Sequence, residues 1–265
     1  MKIGIIGLGV VGSAVKEGLE SLKHTIFFHD IKYKTSIKKV LNTEICYICV
    51  PTPSGEDGRC DTSIVEQVVR ELSESHYQGV IAIKSTVSPG TTKSLQLKHP
   101  ETKLCFVPEF LRERCATEDF INNHDLCVVG TSCSNIYKKI LESHGSLPRK
   151  IIKVGETEAE LVKYFNNVYN ATLITFANSF YELCKSLEAD YTSVKNAAIS
   201  REHINDVYLD CNENLRGFGG MCLPKDTKSL AYLCSKNNLN VDFFKCLIDE
   251  NNKYKTTVFK GMRGE

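Results

Sequence analysis

The segment RGFGGMCLPKDTKSL, residues 216–230, concentrates the residue types best suited to chemistry. Gly217, Gly219 and Gly220 let backbone come close to a ligand, and Cys222 stands two residues before Pro224, a residue favoured at the first position of a helix. A thiol at a helix N-terminus with Lys225 nearby is expected to carry more thiolate, the nucleophilic form. Asp226 is close enough to orient a water or a substrate hydroxyl. The other eleven cysteines are read as small buried hydrophobes.

A second constellation opens the chain. GLGVVG, residues 7–12, follows a strand and begins a helix, the context a dinucleotide fingerprint requires. Gly7 permits the tight turn, Gly9 lets backbone approach a pyrophosphate, and Gly12 lets helix and strand close together. Leu8, Val10 and Val11 complete the turn, and the helix N-terminus binds the anion. Asp30, at the end of the next strand, is placed to bond the adenosine ribose and to repel a 2′-phosphate, which favours NAD over NADP. The fingerprint alone leaves FAD open, since flavoproteins share it.

The elements that must position these residues follow from periodicity. Apolar, β-branched runs (KIGII, TIFFH, EICYICV, GVIAIK, KLCFV, DLCVVG and 150–154) alternate with helical stretches such as 62–75. That alternation predicts an α/β fold, a doubly wound parallel Rossmann sheet over residues 1–155. From Thr157 the period becomes helical: Leu161, Phe165, Val168, Thr172, Phe176, Phe180, Leu183 and Leu187 recur at three- and four-residue intervals. Thr157 and Glu160 have the form of a capping box. The spacing predicts a helix of about thirty residues that bridges domains or lines a subunit interface. Helices are expected over 225–236 and 242–259, the latter with Phe243, Leu247, Tyr254 and Val258 on one stripe. Residues 156–265 thus form a second, all-α domain.

Bulk properties narrow the partners. With 33 basic and 32 acidic residues among 265, no global field favours nucleic acid or an anionic membrane. The apolar start runs into a polar helix and reads neither as a signal peptide nor as a membrane span. Twelve cysteines scattered through apolar runs fit a reducing, cytoplasmic setting. Cys46 and Cys49 fall three apart in a strand and so face opposite sides, which argues against a shared metal.

Six motifs, GLGVVG, CVPTP (49–53), KSTVSPGT (84–91), PEFLRE (108–113), ELVKYFNN (160–167) and GFGGMCLPKD (217–226), occur in the order and spacing of the UDP-glucose/GDP-mannose dehydrogenases. The chain resembles that family from Lys2 to about Lys255. The resemblance implies a four-electron, NAD-dependent oxidation of a nucleotide-linked sugar to its acid, with UDP-glucose the favoured substrate. It implies that Cys222 traps the intermediate aldehyde, that Glu109 activates the hydrolytic water, a role its carboxylate can fill if its pKa is raised, and that Lys163 and Asn167 steady the oxyanion. Four residues apart on a helix, those two project from one face, as a shared oxyanion would need. Thr86 and Asp226 match positions that hold the catalytic water. Pro51, Thr52 and Thr86 fall in cofactor-binding motifs, and Phe110, Leu111 and Arg112 match a segment contacting sugar or diphosphate. For Lys84, strand-end solvation and a ligand contact are equally open.

The pattern departs from the family in three places. The stretch between Asp30 and Cys46 is short, so one edge of the cofactor domain is trimmed. Relatives continue past IDENNKYK into a third domain that helps hold the nucleotide; here the chain stops soon after, so a weak nucleotide grip is expected unless another subunit or chain completes it. Arg216 could reach a phosphate and partly substitute, although a solvated loop charge is the commoner case. Cys211 stands where relatives often place an aromatic residue. A homodimer through the long helix is expected by resemblance. Two other readings stand beside the first: a single-hydride β-hydroxyacid dehydrogenase, and a non-catalytic NAD-binding module.

Overall fold

A computed structural model describes residues 1–257. Two compact units divide the chain: residues 1–53 with 60–163, and residues 54–59 with 164 onward.

The first unit is a seven-stranded sheet made of β1 (Lys2–Ile6), β2 (Thr25–His29), β3 (Ile45–Ile48), β4 (Val80–Ile83), β5 (Lys103–Phe106), β6 (Leu126–Gly130) and β7 (Lys150–Val154), in the order β2-β1-β3-β4-β5-β6-β7. Every expected strand is present. Successive residues point to opposite faces, and both faces are buried. Ile3, Ile5, Tyr47, Ala82, Cys105 and Cys127 face one layer with α1 (Val10–Ser21), α4 (Ala116–Ile121) and α5 (Ser134–His144). Ile6, Cys46, Ile48, Ile81, Ile83 and Phe106 face the other, with α2 (Ser63–Glu74), α3 (Thr91–Lys98) and the start of α6 (Glu156–Ser186). Cys46 and Cys49 accordingly lie in different layers, where burial pushes both thiols up, Cys49 to about 12.

The sheet departs from the all-parallel expectation at one junction, where β5 and β6 run antiparallel. Between them α4 has only 6 residues, about 9 Å of helix, and β6 starts from the end at which β5 stops, so no crossover is needed. Between β2 and β3 stand only two short 3₁₀ turns, Ile31–Tyr33 and Ile37–Val40, which leaves β2 as the edge strand.

The second unit is helical: α6 beyond residue 163, α7 (Tyr191–Ile199), α8 (Leu223–Lys236) and α9 (Phe243–Asn251). The long helix has 31 residues, as its period predicted. Its stripe is largely exposed: Leu161, Phe165, Phe176, Phe180, Leu183 and Leu187 face outward, whereas Val168 is buried. The expected capping box at Thr157 does not form. Ala159 N–H bonds to Gly155 C=O, so Thr157 is already inside the helix, and Glu160 is used elsewhere. The last helix stops at Asn251 instead of continuing to 259; Val258 and Phe259 lie outside the described residues.

Candidate functional site

The glycine turn has the form a dinucleotide needs. Gly7 adopts φ +91°, and a Cβ there would come within 2.7 Å of the Cys49 carbonyl. A Cβ on Gly12 would lie 1.9 Å from the Gly7 carbonyl, so only glycine lets α1 close on the turn. Around Gly9 there is open space within 4 Å, and the first turn of α1 carries no side-chain cap. Uncapped N–H groups above an open cradle fit a pyrophosphate. The Asp30 carboxylate stands beside them, accepting from Leu8 N–H at 2.6 Å and Lys32 N–H at 2.7 Å. After β3, Pro51 is exposed and Thr52 buried. Thr86 is half-buried after β4, and its carbonyl accepts from the Cys60 thiol at 3.4 Å.

Beyond β5 the loop 107–113 is tied to α6. Lys163 Nζ donates to Glu109 Oε1 at 2.7 Å and to the Glu109 carbonyl at 2.8 Å, with both residues under 9 % exposed. Burial alone would raise the Glu109 carboxyl pKa. Lys163 by charge and hydrogen bond, the Leu111 N–H and Lys84 together outweigh it, so the carboxyl lies below its ordinary value. The raised pKa expected for a water-activating base is therefore absent while Lys163 holds it. The Phe110 ring lies 5.9 Å from Lys163 Nζ. Leu111 is half-buried, its N–H held by Glu109 Oε2. Arg112 is exposed and bonds Asp119 through Nε at 2.9 Å and Nη2 at 2.6 Å, and these bonds hold the Asp119 carboxyl at about 2.

The second unit gathers the rest. Cys222 is exposed and is the N-cap residue of α8, with Pro224 in the helix's first two positions. The Cys222 carbonyl accepts from Asp226 N–H at 2.9 Å. Asp226 is fully buried; its carboxylate accepts from Asn167 Nδ2 at 2.6 Å and from Lys225 Nζ at 2.6 Å. Lys225 is thus paired with Asp226 as well as close to the thiol in sequence. Gly219 is half-buried in the preceding loop. Arg216 is not a solvated loop charge. Its guanidinium lies 4.8 Å from the Tyr181 ring and 5.1 Å from that of Tyr254, and it bonds Asn178 and Glu182. The nearby cavity of about 500 Å³ is lined by Glu182, Glu213, Arg216, Lys253, Tyr254 and Lys255.

Cysteine burial corrects one expectation: Cys133 and Cys246 are exposed and Cys115 is half-buried, while the other eight are buried. Two further polar residues have surroundings that their sequence neighbours do not reveal. Lys84 is 3 % exposed, neither solvated nor at the surface; its Nζ lies 5.8 Å from the Tyr47 and Phe120 rings, and burial lowers its pKa. Glu160, fully buried, accepts from Gly90 N–H at 2.5 Å, Thr92 N–H at 2.8 Å and Thr92 Oγ1 at 2.7 Å. It caps α3 from another helix, and burial raises its pKa. A glutamate in an apolar helical stretch was the available signal; its partner 68 residues upstream was not.

Known proteins bear on these arrangements. The model for the UDP-glucose/GDP-mannose dehydrogenase family, NAD binding domain, matches residues 30–144, and that for the central domain of the same family matches 157–253. UDP-glucose 6-dehydrogenase AglM of Haloferax volcanii is 26 % identical over 281 residues, covering 87 % of this chain and 64 % of that protein. A UDP-glucose dehydrogenase from Pyrobaculum islandicum superposes with a TM-score of 0.86 at 26 % identity, covering 95 % of this chain and 68 % of that one. A 3-hydroxyisobutyrate dehydrogenase from Mycobacterium tuberculosis shares the fold, with a TM-score of 0.74 at 14 % identity, covering 95 % of this chain and 92 % of that one. This chain spans between about half and two thirds of the length of the curated relatives it matches.

Proposed function

Since the chain belongs to the UDP-glucose/GDP-mannose dehydrogenase family and carries its NAD-binding domain, we propose that it oxidises the primary alcohol of a nucleotide sugar to a carboxylate. UDP-glucose is the favoured substrate. The observation that carries the reading is a pair of matched contacts on α6: Lys163 binds Glu109 and Asn167 binds Asp226, four residues drawn from three distant motifs.

NAD at the glycine turn would accept one hydride in each oxidation, the first NADH giving way to a second NAD between them. The first oxidation takes a hydride from the alcohol carbon while the hydroxyl proton passes to water, and leaves an aldehyde. The Cys222 thiolate adds to that carbonyl, and Asn167 and Lys163 stabilise the resulting oxyanion. Loss of a second hydride from the thiohemiacetal gives a thioester. Water, held by Thr86 and Asp226, attacks the thioester carbonyl; Glu109 takes the water's proton, and the thiolate departs. Before that step Glu109 must loosen its bond to Lys163, because the paired carboxylate is too weak a base. Phe110 and Leu111 offer backbone to the sugar nucleotide, and Gly219 lets the loop approach it. Arg216 serves the loop's structure, since its guanidinium lies against two aromatic rings and two of its nitrogens are bonded.

An assay of NADH release with UDP-glucose, GDP-mannose and a UDP-N-acetylhexosamine tests this. Two NADH per acid are expected with one of the three, and Cys222→Ala should abolish acid formation with NAD affinity unchanged. One NADH per product, or an alanine variant with full turnover, would transfer the chain to the single-hydride chemistry of the β-hydroxyacid dehydrogenases.

The exposed stripe of α6 supports a homodimer. Phe165 is 75 % and Leu187 68 % exposed, and the tilted rings of Phe176 and Phe180 have centroids 4.7 Å apart. A contiguous apolar face of this length is rarely left in water, and a two-fold axis lets one face cover itself.

A further inference from the structure

The loop that carries Cys222 has no regular partner strand, yet its backbone is bonded residue by residue. Asn251, the last residue of α9, is 6 % exposed. Its Oδ1 accepts from Phe218 N–H at 2.8 Å and its Nδ2 donates to the Phe218 carbonyl at 3.0 Å. One carboxamide thus satisfies both backbone groups of one loop residue, as an adjacent strand would. Thr257 continues the pattern: its Oγ1 accepts from Arg216 N–H at 2.7 Å, and its N–H reaches the Gly217 carbonyl at 3.3 Å. Gly217 is required by the approach, since a Cβ there would meet Asn251 Oδ1 at 2.9 Å.

Phe218 is the loop's anchor. Its side chain is 5 % exposed and shares a buried cluster with Val168 and Ala171 of α6 and Leu247 of α9. Val168 follows Asn167 directly. From Phe218 the chain has three residues to reach Cys222: Gly219 is packed against Thr256, whose Cγ2 would lie 2.0 Å from a Cβ there, whereas Gly220 at φ +75° has nothing within 4 Å of where a Cβ would sit and Met221 is 67 % exposed. The two fixed points are therefore Phe218 and the first turn of α8. Moving Phe218 would move the thiol against Asn167.

We propose that Asn251 is a positioning residue for the reaction, its carboxamide clamping Phe218 and so setting the register of the Cys222 thiol against Asn167. The inference rests on Cys222 being the nucleophile. Arg216 with Glu182, and Lys253 with Glu250, charged groups that flank Phe218 and Asn251 in the chain, are paired with each other. Asn251→Asp is the informative variant. Ionised, it keeps the acceptor for Phe218 N–H but sets a carboxylate oxygen against the Phe218 carbonyl; protonated, it restores the donor. Burial raises a carboxyl's pKa, so the repair should occur within a measurable range.

The test compares full-length wild type, Asn251→Asp and Asn251→Ala by kcat, KM, NAD affinity and the rate of Cys222 alkylation by iodoacetamide, read by peptide mass spectrometry. Expected are a kcat reduced at least tenfold in both variants and NAD affinity within twofold of wild type. The Cys222 alkylation rate of Asn251→Asp, taken as a ratio to wild type at each pH, should change at neutral pH and return towards one as pH falls. Wild-type kcat in either variant, or an Asn251→Asp alkylation ratio that stays flat with pH, overturns the proposal. If Asn251→Ala does not fold, the pH course of Asn251→Asp decides alone. Should Cys222→Ala prove active, the thioester reading fails, while the alkylation ratio still reports whether Asn251 holds the loop.

Discussion

The two units position their polar residues by different means. In the first, regular architecture does the work: strand ends deliver the glycine turn, Asp30, Thr86 and Glu109, and Glu109 is then locked by a buried ion pair with Lys163. In the second, Cys222 sits exposed at the end of an irregular loop whose backbone is held by side chains of α9 and the residues after it. The difference separates two kinds of sensitivity. Loss of Lys163 in the first unit leaves a buried charge without its partner, whereas loss of the Asn251 carboxamide in the second frees the backbone groups of one loop residue.

The largest effect should follow loss of Lys163. Lys163→Met leaves the Glu109 carboxylate buried with only the Leu111 N–H and Lys84 to offset its desolvation. Removing one partner of a buried pair costs about 3–5 kcal/mol. Turnover should fall on the order of 10²–10³-fold through loss of oxyanion stabilisation. The stability loss has a distinctive pH course. With burial, the largest of the influences on Glu109, opposed only by the Leu111 N–H and Lys84, the Glu109 pKa in the folded variant is expected to rise above its unfolded value, so the variant regains stability as pH falls and the carboxyl protonates. Denaturant melts from pH 7.5 to 5 check this, and Lys163→Met/Glu109→Gln should recover stability without turnover. A variant as stable as wild type at neutral pH would mean the pair contributes nothing to the fold.

Legibility in the sequence follows the same division. All seven strands were readable, because a sheet buried on both faces writes near-continuous apolar runs into KIGII, EICYICV and DLCVVG. The glycine turn was readable because each glycine answers a local steric demand. Readings failed where a side chain answers a distant one. Thr157 and Glu160 have the spacing of a local cap, but Glu160 caps α3 instead. Lys84 at a strand end left solvent and a ligand equally open, and only the packing of Tyr47 and Phe120 around it reveals a buried ammonium. The stripe after Leu247 suggested more helix, yet Asn251 is bonded to Phe218 and the following residues run along the glycine loop. The stripe on α6 gave the helix its period without saying whether protein or solvent covers it.

That last ambiguity yields the intermediate effect. If α6 is the dimer face, Phe165→Asp/Phe176→Asp places two charges in an apolar contact and should weaken association by about 100-fold or more, with the monomer still folded. Sedimentation equilibrium at micromolar concentration distinguishes a two-chain mass for wild type from a one-chain mass for the variant. A single-chain mass for wild type removes the dimer.

The smallest effect belongs to the first unit's interior, where His124 and His144 lie near Lys84. Their rings are 5.9 Å apart, and His124 Nδ1 and His144 Nε2 are buried with no hydrogen-bond partner. Burial, aided by the charge of Lys84, lowers the His124 pKa to about 4, and burial drives His144 well below the ordinary histidine value. Above the unfolded pKa of about 6.5 both states are neutral and nothing is gained or lost. Below it the unfolded chain binds protons that the folded chain refuses, so stability declines from about pH 6.5 and, for His124, the loss is complete near its folded value of about 4. The full shift amounts to ~3 kcal/mol, most of it invisible at neutral pH. His124→Leu should leave the melting temperature at pH 7.5 within a few degrees of wild type and flatten the decline between pH 6.5 and 4, retaining the share due to His144. Parallel pH curves for variant and wild type would show that His124 takes up its proton as readily in the fold as out of it, and that this interior is open to water.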